Sequence, residues 1–118
     1  MRTRMAANTR INLYVAGVHI TKMRLVTPTD FEILSALSDG KRNNAVNIAV
    51  TLDKNRAYIN TRLPILLDYG LVDRVGPADN SGLYVITEKG RAALTHRDAY
   101  HDDERDFEAL ITDESAAE

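Results

Sequence analysis

An α+β fold, with three short helices leading into a β-hairpin and a further helix behind it, is what the 118-residue sequence predicts. Three observations carry that expectation. Apolar residues recur at three- and four-residue steps in successive stretches between Phe31 and Leu67. Capping residues, glycine or a polar break punctuate those stretches at Thr27, Gly40, Asn43, Asp53 to Asn55 and Gly70. Two β-rich runs, Leu71 to Val75 and Leu83 to Ile86, flank the turn-dense GPADNSG of residues 76–82.

Length allows one domain with one modest core and tails. A division into a basic N-terminal extension (1–26), a folded domain (27–96) and an acidic C-terminal helix or tail (97–118) fits the composition. The chain has no cysteine, which excludes disulfides and thiolate metal sites. No apolar run approaches the roughly 18 to 20 residues that span a bilayer, and the start lacks a signal-peptide pattern, so a soluble, cytoplasmic protein with no membrane partner is expected. The net charge of -2 hides a division along the chain. As far as Arg97 there are fourteen Lys or Arg against eight Asp or Glu, and from Asp98 on there are one against nine. A modestly acidic total therefore does not count against an anionic partner for the first part.

Residues 1 to 22 carry Arg2, Arg4, Arg10 and Lys22 and no acid. They read as a weakly ordered extension or as an arm for a DNA minor groove, with Ile11, Leu13 and Val15 alternating as a short strand would. Met23 is a possible internal start. Thr27, Pro28, Thr29 and Asp30 supply capping residues and a proline suited to a first helical turn, after which Phe31, Ile33, Leu34 and Leu37 keep helical spacing until Gly40 ends the helix near Ser38 or Asp39. Asn43 and Asn44 can cap a second helix with Ala45, Val46, Ile48, Ala49 and Leu52 on its apolar side. Asp53, Lys54 and Asn55 form the break before a third, giving the spacing of a helix-turn-helix.

The third helix, Asn55 to Gly70, holds the candidate site. Ile59, Leu63, Leu66 and Leu67 line one face, while Asn55, Arg56, Tyr58, Asn60, Thr61 and Arg62 fall mostly on others. Arg can donate two hydrogen bonds to guanine and Asn can pair bidentately with adenine, while Thr and Tyr can reach phosphates or a thymine methyl. An ordinary amphipathic helix with a solvated polar face is the plain alternative. Pro64 inside this helix removes the hydrogen bond that the Asn60 carbonyl expects, so either a bend near residues 60 to 64 or a break at the proline is predicted. Behind the hairpin, Thr87 caps a helix through Leu94.

The sequence LLDYGLVDRV, the loop, and GLYVITEKGRAAL resemble the winged helix-turn-helix domains of bacterial and archaeal transcription regulators. The multiple-antibiotic-resistance regulator type and the phage-repressor-like winged-helix proteins of haloarchaea are the nearest in pattern. The resemblance covers about Pro28 to His96. It implies a regulator that binds double-stranded DNA, usually as a homodimer on a two-fold related site, and needs no cofactor. Its reading-helix positions fall on Asn55, Arg56, Tyr58, Asn60, Thr61 and Arg62, and its phosphate-contact positions on Lys41, Arg42 and Lys54. The wing departs from the pattern, offering Asn80 and Ser81 at its loop and Arg74 at its base where the family often has basic residues. Repression is the simpler mode for a small chain without an evident activation surface.

After Leu94, sparse Tyr100, Phe107, Leu110 and Ile111 can fall on one stripe of a continuing helix suited to dimerisation, or mark a partly disordered acidic tail. His96 and His101 with Asp102 and Asp103 match no strong metal signature. No phosphate loop or nucleophile elbow is present, so an enzyme is not expected. The alternative from another class is a winged-helix module that docks onto a protein of a transcription or replication assembly. The cluster Lys41, Arg42, Lys54, Arg56 and Arg62 around the turn favours DNA.

Overall fold

The computed structural model describes residues 13–15, 18–20, 23–78 and 81–116. A small antiparallel pair, β1 (Leu13–Val15) and β2 (Val18–Ile20), comes first. Three helices follow, α1 (Thr29–Ala36), α2 (Ala45–Leu52) and α3 (Arg56–Asp68). The hairpin β3 (Val72–Val75) and β4 (Leu83–Ile86) leads to α4 (Glu88–Thr95), a 3-10 turn at Arg97–His101 and α5 (Phe107–Ala116). The α+β order expected from sequence is the order found. The basic residues Arg2, Arg4, Arg10 and Lys22 lie outside the described residues.

Helix starts are set by side chains that accept from otherwise orphaned amides. Asn44 accepts from Asn47 N at 2.9 Å, Asn55 from Tyr58 N at 3.1 Å and Thr87 from Gly90 N at 3.0 Å. The start of α1 is different. Pro28 stands at the cap position without a side-chain bond, and the Asp30 carboxylate instead accepts from Val26 N at 2.7 Å. At the far end of α1, Arg91 reaches across from α4 and donates from Nη1 to the Ser38 carbonyl at 2.9 Å. The α3 helix runs unbroken through Pro64, so the predicted break at the proline does not occur. Pro64 is exposed, on a side where water can reach a carbonyl left without a helical donor.

The hairpin pairs Val72 with Ile86, Asp73 with Val85, Arg74 with Tyr84 and Val75 with Leu83. Asn43 adds a rung to its outer edge: Asn43 N donates to Tyr84 O at 2.9 Å and Tyr84 N to Asn43 O at 2.8 Å. This fixes the loop before α2 to β4. Inside, Ile33, Leu34, Leu37, Ile48, Ile59, Leu63, Leu66 and Leu71 are fully buried in one core with Ala93 and Ile111.

Residues near both ends of the described chain pack onto the folded domain. Met23 and Leu25, assigned to the extension, are buried in the core. Their extended segment is held by side chains: Leu25 N donates to the Tyr100 hydroxyl at 2.7 Å, Arg24 N to the Tyr69 hydroxyl at 3.0 Å and Met23 N to Glu108 Oε2 at 3.1 Å. At the other end there is neither a helix continuing from Leu94 nor a disordered tail over 97–116. The chain turns after α4 and α5 packs back on it, burying Phe107 and Ile111. Phe31, Tyr100 and Phe107 meet edge to face, with ring centroids 5.9, 6.2 and 5.2 Å apart. His96 Nε2 lies 2.7 Å from Glu114 Oε1 and ties the two helices further. The apolar side of α5 is thus used within the chain.

Candidate nucleic-acid interface

The faces of α3 are sorted by burial. Ile59, Leu63 and Leu66 are fully buried against the core. Ala57, Asn60, Thr61 and Pro64, spaced i, i+3, i+4 and i+7, are all exposed on the opposite side. Arg56 and Tyr58 are exposed on either flank of that row near the helix start. The Thr61 hydroxyl donates to the Ala57 carbonyl at 3.0 Å, so its proton is turned onto the helix's own backbone.

Arg62 is placed differently from the sequence expectation. Its Nε donates to Asp30 Oδ1 at 2.9 Å and its Nη2 to Asp30 Oδ2 at 2.7 Å, with the Asp30 side chain fully buried and that of Arg62 11% exposed. Both carboxylate oxygens and two guanidinium nitrogens are matched in a planar fork, the strong form of this pair. The hydrogen bonding of Arg62 to the Asp30 carboxylate is the main reason that the Arg62 pKa is raised, with desolvation opposing it and the Coulomb attraction of Asp30 adding to it. The guanidinium that was expected to face guanine is therefore occupied inside the fold. A sequence signal for this existed, since Arg62 immediately precedes Leu63 and lies three residues after Ile59, at the border of the buried face.

The remaining candidates divide. Lys41 and Arg42 are exposed in the loop before α2. Asn43 is bonded to Tyr84, and Tyr84 stands opposite Arg74, so Arg42 adjoins a single bridge on one edge of the hairpin while Arg74 lies on β3 at the other. Arg74 is itself exposed. Lys54 Nζ is 3.3 Å from Glu32 Oε1, in a half-exposed pair of the kind worth about 1 kcal/mol or less. Asn55 spends its side-chain oxygen on the α3 cap. In the wing, the Ser81 hydroxyl donates to the Val75 carbonyl, and Asn80 lies outside the described residues. The exposed row also contains two residues absent from the sequence-based set of candidate contacts, Ala57 and Pro64, which carry no polar side chain; from sequence, Pro64 bears only on the course of the helix. On α2, Val46 and Val50 stand one turn apart and are 45% and 77% exposed.

No protein-family model matches the sequence, and no curated protein matches it. Solved structures do. The oxidised form of MarR from E. coli matches with a TM-score of 0.52 and 24% identity over 78% of this chain and 69% of that one. A cysteine-to-serine variant of E. coli MarR in complex with operator DNA matches with a TM-score of 0.51 and 22% identity over 78% and 69%. These likenesses show the fold, a winged helix-turn-helix in which α2 and α3 form the turn motif and β3 and β4 the wing.

Proposed function

We propose that this winged helix-turn-helix chain is a sequence-specific, DNA-binding transcription regulator, a binding protein and not an enzyme, that sets α3 in the major groove of double-stranded DNA. The single observation that carries this is the outward row of α3. An amide, a hydroxyl-bearing residue and small side chains stand exposed between Arg56 and Tyr58, with Lys41 and Arg42 exposed in the loop before α2. Such a surface can approach base edges closely while cations at its edges hold phosphates. The fold it shares with MarR, solved with operator DNA in one case, supports the same docking.

Repression by occupying a promoter, action as a homodimer on two related half-sites and residence in the cytoplasm complete the reading. The second reading, docking on a protein, is favoured by Val46 and Val50, since exposed aliphatic pairs are more typical of a protein contact than of a phosphate contact.

A gel shift against genomic fragments at two salt concentrations separates the two. DNA binding of this kind weakens steeply with salt. Binding that is absent at both concentrations, from a protein shown to be folded, refutes the DNA reading and leaves the docking module. Sedimentation at the same concentrations tests the dimer.

A further inference from the structure

We infer that the bases read by α3 are an adenine paired with thymine and the thymines next to it, so that the centre of each half-site is A·T and not G·C. The inference rests on the DNA-binding reading above and gives it a sequence class. It starts from what α3 can offer. Guanine presents two acceptors in the major groove, N7 and O6, and the side chain matched to both is arginine. Of the two arginines on α3, Arg62 is held by both oxygens of buried Asp30 and Arg56 lies off the outward row, at the first residue of the helix.

The row itself has another chemistry. Asn60 is its one side chain with both a donor and an acceptor to spare, and that pair matches adenine's N6 donor and N7 acceptor. Against guanine the Asn60 carbonyl would face the O6 oxygen, two acceptors in opposition. Its neighbours on the row are Ala57, three residues before, Thr61, one after, and Pro64, four after. Thr61 has its hydroxyl proton committed to the Ala57 carbonyl at 3.0 Å, so it has no donor for guanine's acceptors and keeps a methyl and an acceptor oxygen. A single amide set among two methyl groups and a proline ring is complementary to the thymine 5-methyl, the one apolar group in the major groove. A guanine or cytosine in the same place supplies no methyl and leaves a polar edge against apolar side chains.

The test uses the full chain. Duplexes bound from a random pool are selected and sequenced, and binding to the best of them is measured at two salt concentrations. The expected half-site is centred on A·T pairs. N60A, an exposed change, is expected to flatten the preference at one A·T position, where exchange for G·C costs the native protein about 5- to 150-fold in affinity. Replacing the adjoining thymine by uracil, which removes only the 5-methyl, is expected to weaken binding severalfold, with A57G losing that sensitivity. Salt-sensitive binding to a G·C-centred half-site overturns the inference while leaving the DNA reading intact. So does an A·T-centred site indifferent both to N60A and to uracil. Absence of any salt-sensitive binding removes the DNA reading and this inference with it.

Discussion

Arg62 on α3 and Asp30 on α1 form a two-point fork, Nε to Oδ1 at 2.9 Å and Nη2 to Oδ2 at 2.7 Å, across 32 residues of sequence. The same Asp30 Oδ2 accepts from Val26 N at 2.7 Å, so one buried carboxylate fastens the segment entering α1 and the helix proposed to read DNA. Removing either partner leaves the other charge desolvated and unpaired, at a cost of about 3 to 5 kcal/mol. D30A and R62A should therefore both unfold at much lower urea concentration than the native chain. R62K should fall between, since a lysine keeps the charge but loses the fork. The raised Arg62 pKa means that the folded state holds this proton more tightly than the unfolded one. Its contribution is complete below the ordinary arginine range and is lost only as pH rises through the folded value, so the R62A deficit should be constant across neutral pH. Below its melting temperature, R62A should show no loosened preference at any single base pair. Loosening at one position in a stable R62A would place the guanidinium on DNA after all.

Gly90 reverses the usual rule for glycine in a helix. Alanine ordinarily stabilises a helix interior by about 1 kcal/mol over glycine. Here a Cβ would lie 2.2 Å from the Leu71 carbonyl oxygen and 2.8 Å from Ile86 Cγ1. Since α4 rests directly on the backbone that enters β3, G90A should destabilise by about 1 to 3 kcal/mol through forced displacement. A thermal melt with an unchanged or raised midpoint would contradict the close approach.

Thr87 ties the start of α4 to the turn after α3 by two bonds, accepting from Gly90 N at 3.0 Å and donating to the Gly70 carbonyl at 2.7 Å. T87A loses both and should cost about 1 to 2 kcal/mol, the upper part of the range for a helix cap. T87S keeps both and should recover most of that stability in the same melt.

Local rules were enough where the cause was local. Asn44 and Thr87 are capping residues immediately ahead of apolar periodicity, and each caps as expected. Gly70 and the turn-rich 76–82 likewise place the hairpin from sequence alone. What sequence could not give was partnership at a distance. Arg62 resembles a reading residue until Asp30 is seen beside it. Asn43 joins the sheet through a single rung with Tyr84, too short to leave any alternation. The spacing of Phe107 and Ile111 suggested a helix, but whether that helix covers a second chain or its own core depends on the turn at residues 97–106, which no periodicity specifies. In the candidate site, polar residues were legible by chemistry, whereas Ala57, and the place of Pro64 on the outward surface, become visible only once the exposed row is known.

The fold-back of α5 changes what truncation can reveal. Cutting the chain at Asp98 would remove Phe107 and Ile111, 6% and 0% exposed, along with the Tyr100 ring packed on Phe31. Loss of a fully buried Ile alone costs about 2 to 5 kcal/mol when cut to Ala. The truncated chain should be unfolded or nearly so by circular dichroism, and any loss of DNA binding would follow from that. A cooperative melt near the native midpoint would show α5 to be dispensable. The charge of the region is better tested by changing the exposed Asp102, Asp103 and Asp106 to Asn. If the acids compete with phosphate, affinity for nonspecific DNA should rise at low salt and the difference should vanish at high salt.

Lys41, Arg42 and Arg56 are the exposed cations nearest the turn motif in sequence, and their proposed task is to hold phosphates. That task has a signature distinct from base reading. Removing one cation from its phosphate should make the slope of log affinity against log salt shallower by about 0.9, so a K41A/R42A double variant should flatten it by close to two. Affinity should fall alike for specific and nonspecific duplexes, leaving the order of preferred sequences unchanged. Stability should move by no more than about 0.5 kcal/mol, because the side chains are exposed. R56A tests the same assignment one residue from the reading row. A shallower slope with unchanged preferences puts Arg56 on the backbone, whereas relaxed preference at one G·C position would make it a base reader flanking the A·T centre. An unchanged slope in all these variants would place the DNA on another surface of the fold.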